Sequence, residues 1–163
     1  MRPSHGSRPS RATGTGSSLS HDDKLLASAL HDNTIRLWNP ATGASLQTLE
    51  GHRNWVLSVA FSHGSKLLAS ALRDNTLRLW NPATGAALQG LEGHRDFVNS
   101  VAFSHDSKLL ASASRDNTVR LWDLATGAAL QTLEDRRPGV FSIAFSHDGK
   151  MLASISGGDT VRL

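Results

Sequence analysis

Residues 51–92 read GHRNWVLSVAFSHGSKLLASALRDNTLRLWNPATGAALQGLE, and residues 93–134 read GHRDFVNSVAFSHDSKLLASASRDNTVRLWDLATGAALQTLE. Aligned without gaps, the two stretches differ at nine of 42 positions. The pattern continues on both sides: residues 21–50 match the last 30 positions of the unit, and residues 135–163 match its first 29. A fixed period of this size is the signature of an array built from one supersecondary unit.

Each unit reads as four strands. VLSVAF (56–61) and LLASAL (67–72) are short, nearly continuous apolar runs, the pattern of strands covered on both faces. TLRLW (76–80) alternates, and AALQGLE (86–92) does so more loosely, as expected towards a solvated edge. Arg-Asp-Asn-Thr at 73–76 predicts a tight polar turn. Asn-Pro-Ala-Thr-Gly at 81–85 places Pro where a preset φ helps and Gly where φ turns positive. No window keeps a 3.6-residue apolar period, so the class is all-β.

The rest of the chain sets bounds. Charged residues are 19% and hydrophobic ones 39% of 163 residues, which is too apolar for a disordered polyelectrolyte. No apolar run approaches the ~20 residues of a membrane helix, and none near the N-terminus suggests a secretory leader. The expected location is intracellular, in the cytoplasm. Cysteine is absent, which excludes disulfides and thiolate metal sites. The net charge is +3, but Arg2, Arg8 and Arg11 precede the first acidic residue, Asp22, and beyond it the charges are interspersed. That distribution argues against a nucleic-acid surface. Binding through the tail would show steep salt dependence and vanish on deleting residues 1–17. Residues 1–17, MRPSHGSRPSRATGTGS, read as a disordered basic Ser/Gly/Pro tail. Their Gly and Pro content opposes the amphipathic helix of a transit peptide.

The motifs resemble the WD-repeat (WD40) family. Gly51-His52 and Gly93-His94 match its GH signature; Trp122-Asp123 matches its WD dipeptide, with Trp38-Asn39 and Trp80-Asn81 as WN variants. The resemblance covers residues 18–163. It implies a partial β-propeller of about three and a half four-stranded antiparallel blades with a 42-residue period: a partial blade at 18–50, blades at 51–92 and 93–134, and a partial blade at 135–163. More loosely, SHDSKLLASASRDNTVRLWD resembles the near-identical repeats of fungal NACHT-type proteins, where such arrays follow a nucleotide-binding domain. No GxxxxGK[ST] phosphate loop is present in this sequence.

The resemblance also implies a buried hydrogen-bonded chain of His, Ser, Asp and Trp in each blade. Carried over, it gives His52, Ser70, Asp74 and Trp80, then His94, Ser112, Asp116 and Trp122. The groups suit one another: indole N–H donates, hydroxyl and neutral imidazole do both, and carboxylate accepts. Ser112 is preferred to Ser114 because its equivalents Ser28, Ser70 and Ser154 recur, whereas Ser114 aligns with Leu30 and Leu72. Ser, His and Asp together also suggest a hydrolase triad. Recurrence in each complete unit speaks against that, and no enzyme, cofactor or metal is expected.

The outer units are defective. Ser10 stands where the first unit needs His, and Gly14, Ser17 and Leu19 stand where its inner strand needs Val56, Val59 and Phe61, so that strand is expected to be missing. In the last unit Arg136 replaces His and Gly158 replaces Asp, with Asp159 adjacent; the outer strand is absent. That leaves 14 expected strands, short of the usual four to eight blades. Three readings remain open: a fragment of a larger array, closure by self-association, or closure alone as a small distorted ring.

In the family, the segment before the first strand and the turn between the second and third strands share a partner-binding face. Here it would carry His31, Arg73 and Arg115, with Asn54, Trp55 and Leu57 in one blade and Asp96, Phe97 and Asn99 in the next. Three of the nine differences between the complete units fall at 54/96, 55/97 and 57/99, while core positions such as Val59 and Val101 agree. His21, His63, His105 and His147 recur in the turn after the first strand. One per blade, they are expected to lie too far apart to share an ion with bonds of ~2 Å. The function so implied is a non-catalytic scaffold or recognition module for protein partners. The alternative is a truncated piece of a larger NACHT-type regulatory protein with no function of its own.

Overall fold

The computed structural model describes residues 16–157 and 160–162; the Arg-rich tail to Thr15, including Ser10 and Gly14, lies outside them, as do Gly158 and Asp159. Fifteen strands occur among the described residues. The first sheet comprises β1 (Ser17–Leu19), β2 (Leu26–Ala29), β3 (Ile35–Trp38) and β4 (Ser45–Leu49). The second comprises β5 (Val56–Phe61), β6 (Leu68–Leu72), β7 (Leu77–Trp80) and β8 (Ala87–Leu91), and the third β9 (Val98–Phe103), β10 (Leu109–Ser114), β11 (Thr118–Asp123) and β12 (Ala129–Glu134). The last has three strands, β13 (Val140–Phe145), β14 (Leu152–Ser156) and β15 (Thr160–Arg162). Every sheet is an antiparallel meander in sequence order. No helix among the described residues is long and apolar enough to cross a membrane.

The sheets stack face to face, and the contact is asymmetric. Val56, Val59, Leu68, Leu72 and Trp80 of the second sheet pack on Ala27, Ala29, Ile35, Leu37 and Leu49 of the first. The next interface repeats the arrangement, with Val98, Val101, Leu110 and Trp122 on Ala69, Ala71, Leu77, Leu79 and Leu91. On the second strands, one face offers Leu and the other Ala, so large groups meet small ones between sheets. All five residues of β6 are buried, which accounts for a strand without polar alternation.

The turns follow from residue chemistry. Asn81 Oδ1 accepts the N–H groups of Ala83 (2.9 Å) and Thr84 (3.3 Å), and Asp123 Oδ1 serves Ala125 and Thr126 in the same way at 2.9 and 2.8 Å. The position after Trp needs only a short side-chain acceptor, so Asn replaces Asp there without changing the turn. Asn33, Asn75 and Asn117 have φ of 68°, 71° and 68°, a left-handed conformation that Asn tolerates.

Two expectations change. The inner strand of the first sheet is present: Ser17, Ser18 and Leu19 pair with Ser28, Ala27 and Leu26, and the Gly16 carbonyl accepts Ala29 N–H at 2.8 Å. Pairing uses the backbone, and Ser18 Oγ also accepts Phe61 N–H at 3.2 Å, so apolar side chains are not required. The count among the described residues is therefore fifteen strands rather than fourteen. Among the described residues the stack does not close on itself, as a partial propeller implies. Trp80 and Trp122 are 1% exposed against a preceding sheet, whereas Trp38, with no sheet before it, is only half-buried. At the far end Phe141 is 55% and Ile155 44% exposed.

Candidate functional site

In the third blade the polar chain is continuous. The His94 imidazole bonds Asp116 Oδ2 through Nδ1 at 2.9 Å and Ser112 Oγ through Nε2 at 2.7 Å, and Ser112 Oγ accepts the Trp122 indole N–H at 2.8 Å. A neutral ring with its proton on Nδ1 satisfies every group in the line. Thr118 Oγ1 donates to Asp116 Oδ1 at 2.6 Å, and Arg95 N–H donates to Oδ2 at 2.9 Å. Ser114 stands outside the chain; its hydroxyl donates to the Asp96 carbonyl at 3.0 Å. Burial holds the His94 pKa below the usual histidine range despite the opposing Asp116 carboxylate. Burial raises the Asp116 pKa, but the Thr118 hydroxyl, the Arg95 amide and His94 together outweigh it and bring the value down to about 2.

In the second blade the chain stops short, which corrects the expected set. Ser70 Oγ bonds His52 Nε2 at 3.2 Å and accepts the Trp80 N–H at 3.0 Å, but buried His52 Nδ1 has no partner and Asp74 does not reach it. Asp74 instead accepts the Thr76 hydroxyl at 2.6 Å. The His52 ring lies 4.8 Å from the Trp80 ring, against 6.1 Å for His94 and Trp122, so it is drawn towards the indole. Burial and the Arg78 charge lower the His52 pKa to about 4. The first blade keeps only the Trp38 N–H to Ser28 Oγ bond, at 2.8 Å. The triad reading gains no support from this geometry: Ser70 and Ser112 are fully buried beneath their own Trp.

At the end of the sheets where β5 and β9 begin, the rim residues form a row. The His31 ring stacks on Trp55 at 4.6 Å. The Arg73 guanidinium lies 4.5 Å from the Trp55 centroid and 4.8 Å from Phe97, and Arg115 lies 5.9 Å from Phe97. Five side chains from three blades thus form one row, in which Trp55, Arg73, Phe97 and Arg115 alternate ring and cation and His31 stacks on the Trp55 end, with Trp55 40% exposed. Backbone bonds set the spacing: Arg73 N–H donates to Trp55 C=O at 3.0 Å and Arg115 N–H to Phe97 C=O at 2.9 Å. Asn54 and Asp96 turn their side-chain oxygens onto the amides of Trp55 and Phe97, at 2.9 and 2.7 Å, and so hold the aromatic residues in place. Two expected rim residues belong elsewhere. Asn99 Nδ2 donates to the Val140 carbonyl at 2.9 Å, bridging two blades, and Leu57 is half-buried where Gly16 approaches its backbone.

At the opposite end, the four turn histidines are not far apart. Ring centroids are 3.9 Å apart for His21 and His63, 4.1 Å for His63 and His105, and 5.4 Å for His105 and His147. The distance expected from one residue per blade fails because first strands of successive sheets run side by side, bringing the turns together.

The WD domain, G-beta repeat family matches residues 15–39, 43–81, 85–123 and 127–163, and the chain belongs to that family. Its propeller domains generally bind protein partners. The chain is 47% identical over 51 residues to the nuclear distribution protein PAC1-2 of Uncinocarpus reesii (strain UAMH 1704), a stretch covering 31% of this chain and 10% of that protein. The solved structure of U3-55K superposes with a TM-score of 0.87 at 29% identity, over 95% of this chain and 49% of that one. The chain thus spans about a tenth of the former and about half of the latter.

Two outcomes follow from the polar chains. Asp116→Ala strands buried donors and lowers stability by about 1–3 kcal/mol in urea denaturation, while Asp74→Ala, which leaves His52 as it is, costs clearly less. Equal losses would contradict the difference between the blades. Both buried imidazoles bind protons less well in the folded chain than in the unfolded one. Stability is therefore full above about pH 6.5 and falls as pH drops towards about 4, where His52 titrates. Asp116 adds a further loss from about 3.8 down to about 2. Denaturation midpoints across this range test the sign, and His52→Gln should flatten the upper part of the fall.

Proposed function

We propose that the chain is a non-catalytic recognition module that engages protein partners through the row His31–Trp55–Arg73–Phe97–Arg115. The observation that supports it is the pre-stacked alternation of ring and guanidinium across two blades, extended into a third by the His31 ring. Stacking holds the guanidinium planes without using their N–H donors, which stay available for carboxylates. Trp and Arg are also among the side chains that most often dominate binding energy, and Trp55 is exposed. The chemistry favours an acidic peptide segment carrying an apolar side chain beside its carboxylates.

A second reading concerns assembly, and the open end faces favour it. Half-buried Trp38 on one side and exposed Phe141 and Ile155 on the other occupy the positions that inner blades bury against each other. They are complementary in kind, so what covers them is another blade of this type, supplied by further repeats of a longer chain or by a second copy. The resemblance of the repeats to NACHT-type arrays favours the longer chain, in which this segment would be a sensor portion.

Against an immobilised peptide array of graded charge, residues 1–163 should retain acidic sequences. Trp55→Ala and Arg73→Ala should each weaken retention by about tenfold or more, with the unfolding free energy in urea changed by less than about 0.5 kcal/mol. Loss of stability in step with binding would make the row a packing element. Light scattering on the same protein separates the two assemblies: a discrete dimer supports a second copy, and a monomer assigns the open faces to a longer chain.

A further inference from the structure

The histidine row lies at the end of the sheets away from the proposed partner face, and it is built rather than incidental. Two hydrogen bonds between blades hold it: His21 N–H donates to Ser65 Oγ and His63 N–H to Ser107 Oγ, both at 3.1 Å. The next blade has Gly149 in place of the serine. There the ring spacing opens from 3.9 and 4.1 Å to 5.4 Å. The close part of the row is therefore His21, His63 and His105, with His63 common to both close pairs.

Beside it lies a cleft of about 290 Å³ into which His63, His105 and His147 open over an apolar floor that includes Phe61, Phe103 and Phe145. The two close pairs are tilted by 42° and 46° rather than parallel, so their ring planes converge on one side. Histidine χ2 is broad, so rings this close can turn a nitrogen each towards a shared ion, whose bonds to imidazole are ~2 Å. Nearby carboxylates are occupied: Asp22, Asp106 and Asp148 accept hydroxyls of Ser20, Ser104 and Ser146 at 2.7, 2.7 and 2.6 Å, and the turn of His63 has Gly64 at that position. Among the described residues no three such groups meet at one point.

We propose that this row is a binding site for a divalent transition-metal ion, chelated by two imidazoles from adjacent blades at His63–His105 or His21–His63, with water completing the shell. Paired imidazoles without carboxylate favour zinc, copper or nickel over calcium or magnesium. A metal held here ties neighbouring blades together at the turns, adding to the two serine bonds there.

Titration calorimetry of the full chain with zinc chloride, on protein giving a β-rich circular dichroism spectrum, tests this. Zinc should bind at pH 7.5 and be released by excess chelator, with the fold unchanged by circular dichroism. His63→Ala, which breaks both close pairs, should weaken binding by about tenfold or more; His147→Ala, which leaves both intact, should change it less than about threefold. Absence of binding at pH 7.5, or equal effects of the two substitutions, would overturn the proposal.

Discussion

A strand buried on both faces cannot be stable in a sheet that stands alone, and every inner sheet of this molecule contains one. All five residues of Leu68–Leu72 are buried, with Leu68 and Leu72 towards the preceding sheet and Ala69 and Ala71 towards the next. Each sheet therefore needs a neighbour on each side, and the 42-residue repeat supplies them. The alternation of large and small residues sets the sheet separation, and with it the positions of every turn at both ends.

The buried polar chain depends on that packing. Trp122 caps its chain from within the interface, where the sheet before it excludes water from Ser112 and His94. Exclusion makes the hydrogen bonds matter, because an unpaired group in such a place carries its full desolvation cost. The second blade bears that cost at His52 Nδ1, while the third does not. Two blades with almost the same sequence thus differ in local satisfaction. The first blade shows the other dependence: without a preceding sheet, Trp38 keeps its bond to Ser28 but loses its cover.

Most of the fold was legible because the repeat is nearly exact and its strand and turn chemistry is local. Asn75 and Gly85 mark their turns by the φ they accept, and the doubly apolar VLSVAF and LASAL segments mark the covered strands. What failed to show was what depends on neighbours. Ser17–Leu19 has no apolar signal, yet pairs through its backbone. Asp74 and Asp116 sit in equivalent turns, and only the ring position of the partner imidazole separates them. The rim row was legible residue by residue, from Trp55 and Phe97 beside arginines, but the stacking order was not, since it links residues a full repeat apart. Asn99 looked like a rim residue and bridges blades instead. The histidine row was misjudged because counting one residue per repeat says nothing of how closely successive turns approach.

The arrangement divides labour between the two ends of a single stack. One end carries cations and rings for a partner, and the other a row of imidazoles, while the interior between them is set by sheet-to-sheet packing. If that packing is what holds each sheet, stability must fall from the middle of the array towards its ends. Residue-level amide hydrogen exchange measures this directly. Protection should be greatest in Leu68–Leu72 and Leu109–Ser114, covered on both sides, and lower in Leu26–Ala29 and Leu152–Ser156, covered on one. Equal protection across the four second strands would contradict the account, for it would mean that each sheet holds itself.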